Sequence, residues 1–305
     1  MKPDCVLWCI TDDRAGHINQ IHGLSTALAA RLTINTHTLR PPSLAGSLLH
    51  WLSRRFPAGA GLPDPSLIIC AGHTTLLAAL AARRARGGRV IVLMKPSLPL
   101  NWFDLCIIPE HDGTGPRSNV VLTRGVLNAI TPADHLSEDH GLILIGGPSK
   151  GYLWSDQNVV DQVQEIMQRT SARHWTLTTS RRTPESFLPK IEAVQSERLT
   201  VVPGGQTTPD WVPERLATAS QVWVTEDSVS MVYEALTAGA AVGLLELPRR
   251  TAGRVAAGWA RLIEEGWITP FPQWRAEGVL QPPPHQLHEA ARCAELICQR
   301  FFGAG

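Results

Sequence analysis

Residues 221–245 read QVWVTEDSVSMVYEALTAGAAVGLL: an apolar run ending in a polar turn, a stretch of helical period, Gly239, and a second apolar run. The pattern predicts a strand at 221–224, a helix at 228–238 and a strand at 241–245, which together make one βαβ unit of a parallel sheet. Ser230 and Glu234 are four residues apart on that helix, so both project from one face near its start.

The same alternation continues outward. Towards the N-terminus it predicts strands at 5–10, 33–38, 67–70, 89–93, 104–108 and 119–122, with helices at 17–31, 43–55 and 73–86. From Leu127 to Gly141 the pattern breaks into a polar stretch that includes Asp134, His135, Glu138, Asp139 and His140. It then restarts with strands at 141–145, 174–178 and 199–202 and helices at 156–170 and 184–195. The last helices, at 252–265 and 284–302, are separated by a loop holding Pro270, Pro272, Pro282, Pro283 and Pro284, and the final one is expected to pack back on the first domain. The expectation is an α/β protein: an N-terminal Rossmann-like domain at 1–132, a linker at 133–140 and a C-terminal Rossmann-like domain at 141–305, the two facing across a cleft. Ligands of such sheets bind beyond the carboxyl ends of the strands.

At 305 residues the chain has room for two cores of ordinary size. Lys and Arg total 28 against 27 Asp and Glu, a formal charge of +1, so no global field favours nucleic acid. The six cysteines lack the paired spacing of a zinc or dithiol site and read as reduced core residues of a cytoplasmic protein. No metal site is expected. No apolar run approaches the roughly 18 residues needed to span a bilayer, which leaves peripheral contact as the expected mode of any membrane association. One stretch suits it: PPSLAGSLLHWLSRRF (41–56) sets Leu48, Leu49, Trp51, Leu52 and Phe56 beside Arg54 and Arg55. The alternative is a helix packed on its sheet with its basic ends in water.

Four loops between a strand and a helix carry the candidate chemistry. After the first strand, Thr11-Asp12-Asp13-Arg14-Ala15-Gly16-His17 offers Asp13 or His17 as general base towards an acceptor hydroxyl; alternatively Asp12 or Asp13 caps the helix. In Ile145-Gly146-Gly147-Pro148-Ser149-Lys150-Gly151 the glycines let main-chain N–H groups approach phosphate oxygens and Lys150 adds charge, although the Walker spacing is absent. Thr178-Thr179-Ser180-Arg181-Arg182-Thr183-Pro184 gathers hydroxyls and guanidiniums that suit an anion; alternatively the hydroxyls cap the helix and the two arginines are solvated. In Thr225-Glu226-Asp227-Ser228 the following helix start can hold a diphosphate, and Glu234 can accept both hydroxyls of a ribose; alternatively Asp227 or Ser228 is a simple N-cap. Gly72-His73 follows another strand and either lines the cleft or is an ordinary first-turn pair, and Pro109-Glu110-His111-Asp112-Gly113 is read as a cleft-lining or linker-ordering loop in place of a metal site.

The blocks DDRAGHINQIHGL, FDLCIIPEHD, NVVLTRGVLNAIT, LIGGPSKGYLW, TLTTSRRTP and TEDSVSMVYEA, in that order, resemble the elongated-mitochondria, or mitochondrial fission, family, whose bacterial members look like GT-B glycosyltransferases. The resemblance implies a nucleotide-sugar donor as substrate, held mainly by the second domain, with no tightly bound cofactor. It implies that Gly146, Gly147 and Ser149 approach the diphosphate or sugar, that Ser180 and Arg181 lie near the phosphates or base, and that Ser228, Ser230 and Glu234 face the phosphates and ribose. By the same likeness Glu226 and Asp227 meet sugar hydroxyls, and Lys150, Arg181 and Arg182 balance the leaving diphosphate. The implied acceptor is an envelope glycan or a lipid-linked molecule at the cytoplasmic face of the inner membrane. A non-catalytic adaptor that recruits a membrane-associated partner, and a nucleotide-sugar epimerase, are the alternatives on the same fold.

Overall fold

The computed structural model describes residues 4–115, 117–170, 174–250 and 254–303, with main chain only at 254–256. The chain divides into two compact units, Met1–Ala129 with Glu289–Gly305, and Ile130–His288.

The first unit runs β1 (Asp4–Ile10), α1 (Ala15–Ala29), β2 (Thr33–Leu39), α2 (Leu44–Ser53), β3 (Leu67–Ala71), α3 (Leu76–Arg86), β4 (Arg89–Leu93), β5 (Leu105–Pro109) and β6 (Val120–Thr123). Its six strands form a parallel sheet in the order β2-β1-β3-β4-β5-β6. Alternation along β1 sends Cys5, Leu7 and Cys9 to a core shared with Leu24, Leu28 and Ile297, and Trp8 and Ile10 to a second core with Phe56, Leu76 and Leu80. A parallel sheet needs both faces covered, and near-continuous apolar strands such as LIIC at 67–70 follow from that need.

The second unit runs β7 (Ser137–Ile145), α4 (Asp156–Arg169), β8 (His174–Thr179), α5 (Phe187–Glu192), β9 (Leu199–Val202), α6 (Trp211–Leu216), β10 (Ala219–Thr225), α7 (Val229–Ala238), β11 (Ala241–Leu245), α8 (Arg254–Glu264), β12 (Ile268–Pro270) and α9 (Phe271–Glu277). Its sheet is again parallel, in the order β12-β11-β10-β7-β8-β9. The last helix, α10 (Glu289–Phe302), packs on α1 in the first unit, with Arg31 and Glu295 paired at 3.2 Å.

Trp8, Trp175, Trp223, Trp259, Trp267 and Trp274 are fully buried, so most of the ten tryptophans fill cores. Two of them lie over a glycine on the neighbouring strand. Trp175 is paired with Gly141 and Trp223 with Gly243, and a Cβ at those glycines would come within 2.3 and 2.4 Å of the indole rings.

Three sequence expectations are corrected. The expected linker at 133–140 is in part the exposed start of β7: Ser137 pairs with Ala219 of β10, and a register shift follows there. Its polarity belongs to a strand end in water. The proline-rich loop contains β12 and α9, because Pro270 lies on an edge strand and Pro272 at the start of a helix, where no N–H is needed. Residues 289–305 belong to the first unit, so the second does not run from 141 to the C-terminus.

Candidate functional site

In each sheet the chain starts at an inner strand, builds outward on one side and then crosses to the other. In the first unit the order turns between β1 and β3, in the second between β7 and β10. Beyond the carboxyl ends of the strands at such a turning point is the usual ligand position in open parallel sheets.

In the second unit this position is held by a clasp of three loops. Asp227 Oδ2 accepts from the Gly147 main-chain N–H at 3.1 Å and pairs with the Arg182 guanidinium at 2.7 Å, and Ser228 Oγ lies 3.3 Å from it. The Asp227 side chain is wholly buried, whereas Arg182 is 46% exposed. Arg182 also donates to Ser228 Oγ. Ser180 Oγ and Thr183 Oγ1 both donate to the Gly146 carbonyl, and the Gly146 N–H donates to Thr225 Oγ1 at 2.8 Å. Both glycines are sterically required. A Cβ at Gly146 would come 2.3 Å from Ser228 Oγ and 2.4 Å from the Asp227 carboxylate, and one at Gly147 would come 2.2 Å from the Arg182 carbonyl oxygen.

Glu226 is equally committed to the protein. It is 4% exposed; one carboxylate oxygen pairs with Arg249 at 2.9 Å, the other accepts the Leu247 N–H at 3.1 Å, and its carbonyl accepts from Trp259 Nε1. Burial, with Glu226 nearby, pushes the Tyr152 phenol up to about 12. Both carboxylates thus shape the loops: the Glu226 oxygens are both engaged, while Asp227 Oδ1 is buried with no hydrogen-bond partner among the described residues.

Ser228 occupies the N-cap position of α7, but its side chain does not cap the helix. Its hydroxyl is turned to Asp227 and Arg182 instead, so the first-turn amides of α7 have no side-chain cap and retain the positive end of the helix dipole. Ser230 Oγ donates to Glu234 Oε1 at 2.9 Å, with Ser230 exposed and Glu234 half-buried. Lys150 and Arg181 are exposed, while Ser149 is half-buried and accepts the Tyr152 N–H. Of the residues expected at this site, Gly146, Gly147, Ser180, Arg182, Asp227 and Ser228 form one hydrogen-bonded network. Lys150 and Arg181 are outside it. Thr183 and Arg249 are additional members of the loop scaffold; both follow strands, which was their only sequence signal.

In the first unit the imidazole and the carboxylate come together differently from the simplest reading of the motif. His17 Nδ1 is 2.6 Å from Asp12 Oδ1. Thr74 Oγ1 donates to Asp12 Oδ2 at 3.3 Å, and the Arg14 N–H donates to Oδ1. Asp13, by contrast, has φ 62°, is 56% exposed and pairs with Arg40 at 3.3 Å. Burial acts to raise the Asp12 pKa, but His17 and Arg14 outweigh it and hold the carboxyl below its ordinary value. His17 lines a pocket of about 220 Å³ together with Arg14, His73, Leu76, Met94 and Lys95. With Nδ1 engaged by Asp12, Nε2 is the ring nitrogen available to a molecule in that pocket.

Among the described residues, no group of three or more His, Cys, Asp or Glu is arranged to hold a metal ion. Glu110, His111 and Asp112 form a short turn after β5, where Lys95 Nζ donates to the Asp112 and Gly113 carbonyls.

A family model described as mitochondrial fission ELM1 matches residues 15–301. A Rickettsia prowazekii protein described as uncharacterized protein RP120 is 25% identical over 291 residues, covering 76% of this chain and 81% of its own. Among solved structures, a putative UDP-N-acetylglucosamine 2-epimerase from Listeria monocytogenes aligns with TM-score 0.64 at 14% identity, over 99% of this chain and 98% of that one. MurG of Acinetobacter baumannii aligns with TM-score 0.58 at 11% identity, over 97% and 99%. A Neisseria meningitidis UDP-GlcNAc 2-epimerase, solved bound to UDP-GlcNAc, aligns with TM-score 0.57 at 12% identity over the whole of both chains. The fold these proteins share with the chain is GT-B.

Proposed function

The chain belongs to the mitochondrial fission ELM1 family, and from that premise and the chemistry at its two turning points we propose that it is a GT-B-type glycosyltransferase using a nucleotide-sugar donor. The observation that carries the reading is α7: a helix start with no side-chain cap at the turning point of the second sheet, with the Ser230–Glu234 pair on its first turns.

The donor diphosphate sits against the first-turn amides of α7, since the Gly146 and Gly147 N–H groups are already taken by Thr225 and Asp227, and the ribose hydroxyls displace Ser230 as a partner of Glu234. Lys150 and Arg181 add positive charge at the rim, while Arg182, Asp227 and Glu226 keep the loops in place. The neighbour solved with UDP-GlcNAc supports a nucleotide sugar as the ligand class.

His17 Nε2 removes the proton from an acceptor hydroxyl, and Asp12 holds the ring and stabilises the imidazolium that forms. The acceptor oxygen bonds to the anomeric carbon, the bond from that carbon to the diphosphate oxygen breaks, and the nucleoside diphosphate departs with the electron pair. Helix-start amides and basic side chains stabilise that charge. The acceptor is an envelope glycan or a lipid-linked molecule.

Incubation with a panel of nucleotide sugars, with and without lipid-linked and oligosaccharide acceptors, tests the assignment. Acceptor-dependent release of a nucleoside diphosphate is the expected result. Interconversion of the donor sugar without acceptor would make the protein an epimerase, and no turnover of any donor would favour a non-catalytic adaptor.

A further inference from the structure

Helix α2 presents leucines where a solvent-facing helix presents polar residues. Leu44, Leu48, Leu49 and Leu52 are 57%, 48%, 63% and 61% exposed, half of the eight large hydrophobics exposed among the described residues. Leu44, Leu48 and Leu52 recur every four residues and form one stripe, with Leu49 beside it. The opposite side of the helix is occupied: Ser47 is buried, Trp51 packs against the Trp8–Phe56 core and carries the Arg84 guanidinium 4.8 Å over its ring, and α2 lies on α3. The outer leucines are therefore surplus to the core. The helix is thus packed through one side with its basic end in water, and its leucine face is exposed as well.

The stretch of sequence that contains α2 carries charge of one sign. Residues 14–63 contain Arg14, Arg31, Arg40, Arg54 and Arg55 and no Asp or Glu, in a chain whose overall formal charge is only +1. Arg14, Arg31 and Arg40 pair with Asp12, Glu295 and Asp13 from outside the stretch. Arg54 and Arg55, at the C-terminal end of α2, are exposed and enter no ion pair among the described residues.

We infer that the leucine face of α2, with Arg54 and Arg55 at its end, is a docking surface for an anionic lipid bilayer. Leucines enter the boundary between headgroups and acyl chains, and the arginines meet lipid phosphates. A second copy fits less well, because an isologous contact would bring two Arg54–Arg55 pairs together with no acid in the stretch to oppose them. The inference goes beyond the transferase reading and does not depend on it, since adsorption to a bilayer needs no donor or acceptor.

Co-sedimentation of the full chain with vesicles of phosphatidylcholine, alone or mixed with phosphatidylglycerol, tests it. The expected result is binding to the mixed vesicles that declines with added salt. It should fall by about tenfold or more in Leu48→Glu/Leu52→Glu and in the milder Leu48→Gln/Leu52→Gln, both with an unchanged thermal midpoint. Arg54→Ala/Arg55→Ala should weaken it as well. Absence of binding to the mixed vesicles, or binding equal in the folded leucine variants, would overturn the inference. So would a wild-type dimer in sedimentation velocity that those leucine variants abolish, since that assigns the face to a second copy.

Discussion

Asp12 Oδ1 and His17 Nδ1 are 2.6 Å apart, and the glycine at position 72 leaves the space they occupy: a Cβ there would come 2.6 Å from the imidazole and 2.9 Å from Asp12 Oδ2. Gly72 has φ 93°, a conformation that side chains rarely adopt. A pair so arranged fixes one tautomer and leaves Nε2 to act.

His17→Ala should therefore lower turnover by roughly 10²–10⁴-fold, Asp12→Asn by a smaller factor, and Asp13→Ala by little, since Asp13 pairs with Arg40 at the surface. Steady-state rates of the three variants check this ordering. A full loss in Asp13→Ala alone would reverse the assignment of the carboxylate.

The same pair predicts a pH effect on stability. The Asp12 carboxyl is held below its ordinary value in the folded chain, so its contribution is complete above the unfolded value of about 3.9 and lost as pH falls through the lower folded one. Denaturant titrations of wild type and Asp12→Asn should differ most at neutral pH and converge in acid.

Arg182→Ala removes the cation from a wholly buried Asp227 carboxylate. Because Arg182 is half in water, a loss of roughly 1–3 kcal/mol is expected, below the full cost of breaking a buried pair. Chemical denaturation measures it. Adding Asp227→Asn, which removes the stranded charge, should restore part of the stability.

Gly147→Ala forces a Cβ to 2.2 Å from a main-chain oxygen of the neighbouring loop. It should cost about 1–3 kcal/mol and displace Arg182 from the clasp. Thermal unfolding reads the first effect, and loss of donor binding the second.

All six cysteines are free and buried. Desolvation pushes Cys70, Cys106 and Cys293 up to about 12 and Cys5 and Cys9 up to about 11. Little thiolate exists at neutral pH, so alkylation should be slow in the native protein and fast in denaturant. Mass spectrometry after a timed iodoacetamide pulse checks it.

Most strands were legible because they are short apolar runs bounded by polar residues, and LIIC or RVIVL admits few other readings. The polar start of β7 was not, because a strand end in water carries no apolar signal. Nor was α9, where Pro270 just before the helix and Pro272 in its first turn imitate a loop. At the site, sequence position identified the right loops but could not tell which side chains turn inward. Asp12 and Asp13 are adjacent and identical in chemistry, and only the left-handed backbone at Asp13 sends one towards His17 and the other towards Arg40. Glu226 and Asp227 look like ligand residues in TEDS, and their burial beside Arg249 and Arg182 is a tertiary fact that no local pattern records.

The most direct test of the donor site is isothermal titration of the chain and of Glu234→Ala with a panel of nucleoside diphosphates and nucleotide sugars. One nucleotide is expected to bind in the micromolar range, about −8 kcal/mol, and at least about tenfold more weakly to the variant. No heat from any of the panel at millimolar concentration, or equal affinity in the variant, would contradict it.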